Sequence, residues 1–177
     1  ITSNPHAAAA AETDAGLYQY SSTQCTLSAE DAAPFLAYAA SLPDECIYTD
    51  PDDPTVGRIT SDVHATVCYG LTTADPTAVQ ACLADCAPVR MTFGEVSVFT
   101  NETKPYDVLH VEVESEDLTR MHHLIKTATE VHSTHSEYHA HVTLGYLKRG
   151  MARGYAGDTR FKGRGLTIPS ITFSPHT

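Results

Sequence analysis

Two stretches of this sequence repeat the same spacing of histidine and threonine. They are 63–70 (VHATVCYG) and 138–146 (YHAHVTLGY). Side chains alternate between the faces of a strand. On that period His64, Thr66 and Cys68 share one face, with Val63, Ala65, Val67 and Tyr69 behind them. In the second stretch His139, His141, Thr143 and Gly145 share a face, backed by Ala140, Val142, Leu144 and Tyr146. Two imidazoles and two hydroxyls on apolar-backed strands suit phosphodiester chemistry. One imidazole removes the proton of a ribose 2′-hydroxyl as it attacks the adjacent phosphorus. The other protonates the departing 5′-oxygen, and histidine suits both tasks because its pKa lies near working pH. Hydroxyls two residues away donate to the non-bridging oxygens, where negative charge develops. Either histidine can take either role, and the scheme calls for no metal and no cofactor.

Other histidines offer competing patterns. A third match, His132-Ser-Thr134, lies in the polar run VHSTHSE with no apolar alternation, and reads as a chance occurrence. His139 and His141 form an H-x-H pair that zinc can use, given further ligands such as His110, Asp107, His132 or His135. The plainer reading makes His139 a rim residue that orients His141 or touches substrate. His122 and His123 fall on a helical segment with Arg120 and Lys126, a pattern of a solvated face.

The elements that must position the motifs follow from local signals. Segment 1–15 is alanine-rich without an apolar stripe and reads as a tail or frayed helix; 16–177 reads as a single domain. GLYQYSS (16–22) predicts a first strand. Ser28 caps a helix over 28–42, with Pro34 early enough to be tolerated. Asp75 and Pro76 open a helix over 75–86. Segment 89–101 predicts a bent strand or a hairpin around Gly94, and 107–115 another strand. Ser115 caps a helix over 116–131. After the strand 140–147 comes a loop rich in glycine and basic residues, 151–165, that can serve as a lid, and then a closing strand over 166–174. Strand pairs separated by few helices point to an α+β fold, and the chain looks like two similar halves, each with a helix followed by a His-x-Thr strand.

Composition limits the partners. The 177 residues carry a net charge of −11, from 22 acidic against 11 basic side chains. A long nucleic acid needs a basic footprint, so none is expected, whereas a small anionic ligand in a local pocket is compatible. Six of the basic residues, Lys148, Arg149, Arg153, Arg160, Lys162 and Arg164, follow the second motif and can attract a phosphorylated ligand. No apolar run is long enough for a membrane span. The five cysteines include no C-x-x-C pair and read as reduced thiols packed like small apolar residues, which fits a cytoplasmic location. The chain begins at Ile1 and is compatible with a domain of a larger protein.

HATVCYG together with HVTLGY resembles the two-histidine (2H) phosphoesterase superfamily. Within it, YDVLHVEVES, EYHAHVTLGYLKRG and FKGRGLTIPSITFS are similar to the phage anti-CBASS phosphodiesterases that act on cyclic oligonucleotides. The likeness covers about residues 60–175. It implies two pseudo-symmetric lobes of antiparallel strands, helices outside, and a catalytic cleft between the lobes. It also implies His64 and His141 as the catalytic pair, with Thr66 and Thr143 as phosphate-binding hydroxyls. The implied activity is metal-independent cleavage of 3′–5′ linkages in small cyclic oligonucleotide immune signals, in the cytoplasm of an infected bacterial host. This chain has no tryptophan, so base stacking falls to tyrosine or phenylalanine: Tyr18 or Tyr20, Phe99, Tyr155 or Phe173. Arg153 and His139 complete the candidate substrate contacts. The alternatives are a phosphodiesterase for RNA ends with 2′,3′-cyclic phosphates, and a non-catalytic nucleotide-binding or virion-associated module.

Overall fold

Two helices are fixed by their caps. In the computed structural model, which describes residues 2–3, 19–133 and 137–176, Ser28 Oγ accepts the Asp31 N–H at 3.2 Å and opens α1 (Ala29–Ser41). Ser115 Oγ accepts the Leu118 N–H at 3.1 Å and opens α3 (Glu116–Ala128). Each helix carries two acidic residues in its first turn, where the macrodipole favours negative charge. Between them α2 (Thr77–Cys82) is shorter than the 75–86 expected; Asp75 accepts the Thr77 N–H, and the apolar pattern then lapses into a turn.

The strands are β1 (Thr2–Ser3), β2 (Ser21–Thr26), β3 (His64–Leu71), β4 (Val89–Phe99), β5 (Tyr106–Glu114), β6 (His141–Lys148), β7 (Gly165–Ile168) and β8 (Thr172–Ser174). They form one sheet in the order β1-β8-β2-β3-β6-β5-β4-β7, antiparallel except for β1 against β8. The sheet divides into two four-stranded lobes that meet at β3 and β6, the two motif strands. The α+β architecture with paired lobes is therefore the one expected.

The seam between the lobes is narrow. Ala65 and Val142 form the one registered pair between β3 and β6. Beyond it the strands splay, and a connecting segment fills each opening. Along β6, Tyr48 N–H donates to Tyr146 O, Tyr146 N–H to Gly57 O and Ile59 N–H to Leu144 O. Along β3, Thr72 N–H donates to Glu130 O and His132 N–H to Gly70 O at 2.7 Å. Gly70 has φ +100, and a Cβ there would lie 2.0 Å from His132 O, so this close approach requires glycine.

Helices pack on one face of the sheet. Ala65, Val67, Val142 and Leu144, the residues behind the motif side chains, join Phe35, Leu118, Met121 and Ile125 in the core, all nearly or fully buried. Cys25, Cys68 and Cys86 are buried and all five thiols are free. Burial pushes the Cys25 thiol up to about 12 and the Cys68 thiol to about 11, so both behave as small apolar groups.

Several local expectations are corrected. The first strand of its lobe is SSTQCT, not GLYQYSS; Tyr20 lies in a bend and Tyr18 falls outside the described residues. Its buried positions are largely polar (Ser21, Thr23, Gln24), which hid it from a search for apolar alternation. Within 1–15, Thr2–Ser3 form a strand rather than a tail or helix, and the remainder lies outside the described residues. The closing strand is split into β7 and β8 around Pro169. Segment 89–99 is one bent strand, with its irregularity between Phe93 and Val96.

Candidate active site

The motif side chains converge because β3 and β6 run antiparallel through the Ala65–Val142 pair. That register sets His64 beside Thr143 and Thr66 beside His141 on the face away from the helices. The two histidines are diagonal neighbours, about 7–8 Å apart by strand geometry. All four residues are half-buried.

The two imidazoles are held by the same device. His64 Nδ1 lies 2.7 Å from Asp62 O, and His141 Nδ1 lies 2.7 Å from His139 O. A carbonyl only accepts, so Nδ1 is the protonated nitrogen in both rings. Nε2 is then the base in the neutral ring and the acid in the charged one. The surroundings differ. Asp62 Oδ2 is 3.8 Å from His64 Nδ1, an ion pair when His64 is protonated. Asp62 holds φ +52, an unusual backbone for a non-glycine residue, and its Oδ1 accepts from Gln24 Nε2 at 3.3 Å. Among the described residues no carboxylate forms an ion pair with His141. Burial holds its pKa below the usual histidine range, opposed by the bond to His139 O and aided by the neighbouring His64 and His139.

His110 on β5 belongs to the same cluster and was not singled out by the motif search. It is 2% exposed, stacks on Phe99 at 3.7 Å between centroids, and meets His141 edge-on at 5.2 Å. Phe99 in turn meets His141 edge-on at 4.8 Å. Burial lowers the His110 pKa to about 4, so it packs as a neutral ring. Glu112 stands directly opposite His141 in the β5–β6 register. The signal was available in the sequence: Tyr106, Val108, His110 and Glu112 alternate on one face of the predicted strand.

The carbonyls of β3 that leave the seam are taken up by side chains. Tyr138 OH donates to Thr66 O at 2.6 Å, and His122 Nδ1 lies 2.7 Å from Val67 O. The two rings stack at 4.2 Å. His122 is thus not on a solvated face; the opening of the seam leaves a carbonyl that it fills.

Each motif strand contains a β-bulge one residue after its threonine, at Val67 in β3 and at Leu144 in β6. The extra residue reverses the alternation. Cys68 consequently turns into the core at 1% exposure and Tyr69 turns out at 55%, the opposite of the simple alternation. Tyr146 likewise leaves the core side, while Leu147 is fully buried.

Other sequence candidates lie apart from this centre. Tyr20 stacks on His132 at 5.0 Å and meets Tyr69 edge-on at 6.0 Å, toward the far end of β3. Arg153 lines a separate cavity of about 410 Å³ with Arg149, Asp107 and Glu102. By strand register that cavity lies about 20 Å from His141. Tyr155 packs on Tyr38 against α1, and Phe173 is fully buried. His139 is exposed, 3.6 Å from Glu137, and gives the site its carbonyl. Thr134 lies outside the described residues.

The basic loop is not a free lid. Gly157 N–H and Gly163 N–H donate to Val96 O and Phe93 O, while Val96 N–H and Phe93 N–H donate to Asp158 O and Arg164 O. Two of its charges are engaged as well. Arg160 pairs with Asp158 and covers the Tyr38 ring, and Lys162 pairs with Glu95. The irregularity in β4 supplies the backbone groups that tie the loop down. Beside His139 and His110 opens a cleft of about 710 Å³, lined also by Phe99, Glu112, Arg120 and His123. Among the described residues no three His, Cys, Asp or Glu side chains are grouped to hold a metal ion, and no helix is long and apolar enough to cross a membrane.

No curated protein matches the chain. A solved structure described as "Crystal structure of phosphoesterase" is 14% identical with a TM-score of 0.50, and the match covers 88% of this chain and 86% of that one. A structure of Kluyveromyces marxianus Usb1 is 9% identical with a TM-score of 0.49, covering 86% of this chain and 99% of that one. The first likeness is one of fold. A family model described as "2'-5' RNA ligase superfamily" matches residues 47–156, more than half of the chain and the stretch that holds both motif strands. The chain therefore belongs to the 2′-5′ RNA ligase superfamily, the family of two-histidine phosphoesterases.

Proposed function

We propose that this chain is a metal-independent phosphodiesterase that opens 3′–5′ linkages in small cyclic oligonucleotides. The observation that carries the reading is the meeting of two His-x-Thr strands at one residue pair, with both imidazoles locked in the same tautomer. Membership of the superfamily favours phosphodiester cleavage. The choice of a cyclic oligonucleotide rests on the resemblance of 106–115, 137–150 and 161–174 to phosphodiesterases of that kind.

In this scheme His141 is the base and His64 the acid. His141, kept neutral by burial, accepts the 2′-hydroxyl proton at Nε2. The O2′–P bond forms and the P–O5′ bond breaks. His64, ion-paired with Asp62 when protonated, gives its Nε2 proton to O5′. Thr66 and Thr143 donate to the non-bridging oxygens, and the product is a 2′,3′-cyclic phosphate. His110 and Phe99 position His141. A small substrate suits a protein of net charge −11 better than a long RNA does.

Purified protein should linearise a cyclic di- or trinucleotide in the presence of EDTA. His64→Ala and His141→Ala should each lower kcat by at least about 100-fold, the usual size of a general acid or base contribution, with the melting temperature near wild type. Retained turnover in either variant would remove the assigned roles. Turnover of terminal 2′,3′-cyclic phosphates alone would replace the substrate with an RNA end.

A further inference from the structure

The matched bulges deliver more than a change of alternation. Each turns a tyrosine onto the face that carries His64, Thr66, His141 and Thr143, and around each tyrosine an aromatic cluster is built by the same plan. On β3, Tyr69 meets Tyr20 edge-on at 6.0 Å, and Tyr20 stacks on His132 at 5.0 Å with planes 9° apart. On β6, Tyr146 meets Tyr106 edge-on at 5.1 Å, and Tyr106 lies 5.3 Å from Tyr48. Each cluster thus takes one ring from the motif strand, one from the start of the neighbouring strand or the bend just before it, and one from the segment that fills the splayed seam.

Their positions follow from the register. Because β3 and β6 are antiparallel, the exposed face reads Tyr146, then Thr143 with His64, then His141 with Thr66, then Tyr69. Each tyrosine stands three residues beyond its threonine, about 10 Å away at the usual strand rise. That is the reach of one nucleoside from its phosphate. An exposed tyrosine (Tyr69, 55%) on an otherwise polar face offers a π-surface, and base–aromatic stacking is tolerant of which base is presented.

We propose that the Tyr69 and Tyr146 clusters are two nucleobase platforms, one on each side of the scissile phosphate. The substrate then presents an unpaired base on both sides of the bond that is cut. This rests on the phosphodiesterase reading above and adds to it a two-base requirement. The Tyr69 platform is open, and the Tyr146 platform is half-buried and more enclosed.

The test compares the dinucleoside monophosphate ApA, which has two bases, with adenosine 3′-methyl phosphate, which has one. Tyr69→Ala and Tyr146→Leu (the latter keeping apolar bulk in the more enclosed cluster) should each raise KM for ApA about 10- to 100-fold, the loss expected for one stacked base. kcat should stay within about threefold. For the methyl ester only one of the two changes should matter, because one platform has no base to hold. Tyr69→Phe and Tyr146→Phe should restore KM, since the ring and not the hydroxyl is used. Unchanged KM for ApA in both variants, or equal losses on both substrates, would overturn the platforms while leaving the phosphodiesterase reading intact. If wild type cleaves neither compound, turnover is measured on a cyclic dinucleotide, and inactivity there as well makes that reading fail. Quenching of a 2-aminopurine dinucleotide then still decides the platforms: quenching lost in both variants supports them, and quenching unchanged in both overturns them.

Discussion

At the scale of residues, the site turns on how three imidazoles are treated. His64, His110 and His141 each set Nδ1 against the carbonyl two residues earlier, at 2.7, 3.2 and 2.7 Å. The bonds are alike and the surroundings differ, and in the proposed scheme the surroundings assign the roles. His110 lies sealed under Phe99 and against His141. Its folded pKa, about 4, is below the unfolded 6.5, so the unfolded chain binds its proton more readily. The contribution to stability is therefore complete above about pH 6.5 and is lost as pH falls from there toward 4. Between pH 7 and 5 this one group should cost wild type up to about 2 kcal/mol. His110→Leu should show a visibly flatter dependence of unfolding free energy across the same interval. Parallel curves for the two proteins would show that His110 titrates normally. The residues that name the family were legible in the sequence as paired His-x-Thr strands. Alternation gives the strand face of His110 but not its burial, because a lone histidine on an alternating strand looks the same whether it faces water or a neighbouring ring.

At the scale of elements, the motif strands owe their positions to what fills the gaps between them. β3 and β6 touch at one pair and then separate, which would leave strand carbonyls buried and unpaired. Tyr138 supplies the bond to Thr66 O, within the motif itself, and is packed against His122. Tyr138→Phe keeps the ring and deletes the donor. It should destabilise the protein by about 1–3 kcal/mol, the penalty of a buried unsatisfied acceptor. For a chain of this size that lowers the melting temperature by roughly 2–10 °C. An unchanged melt would mean that the Thr66 carbonyl has another partner. The elements themselves were largely foreseen: Ser28 and Ser115 cap the helices expected of them, and both motif strands lie where alternation puts them. Alternation failed beyond each threonine. A bulge inserts one residue without any compositional mark, so Cys68 and Tyr69 exchange faces and Tyr146 leaves the core side. The first lobe's inner strand also escaped, because its buried side chains are serine, threonine and glutamine.

At the scale of the whole molecule, charge is distributed so that the proposed site does not sit in a positive field. The net charge is −11, and the basic loop that offsets it is bound to β4 and α1 on the helical side, with Arg160 and Lys162 paired to Asp158 and Glu95. Glu112 stands opposite His141, and Glu114 and Glu116 line the adjoining cleft. A phosphate-bearing ligand therefore approaches against a like-charged surface. Most nucleic-acid-binding proteins weaken as salt rises, because binding releases counterions from the polyanion. Here the long-range term has the opposite sign, since added salt screens repulsion. The Debye length falls from about 30 Å at 0.01 M to about 8 Å at 0.15 M, which is enough to remove most of that barrier while leaving contacts inside the cleft intact. KM for a cyclic dinucleotide should accordingly hold steady or fall as ionic strength rises over that range, and kcat should change little. Steady-state kinetics at four or five salt concentrations decide the matter. A steep rise in KM with salt would show that a local cationic pocket, such as that of Arg149 and Arg153, dominates capture, and would return those residues to the substrate path.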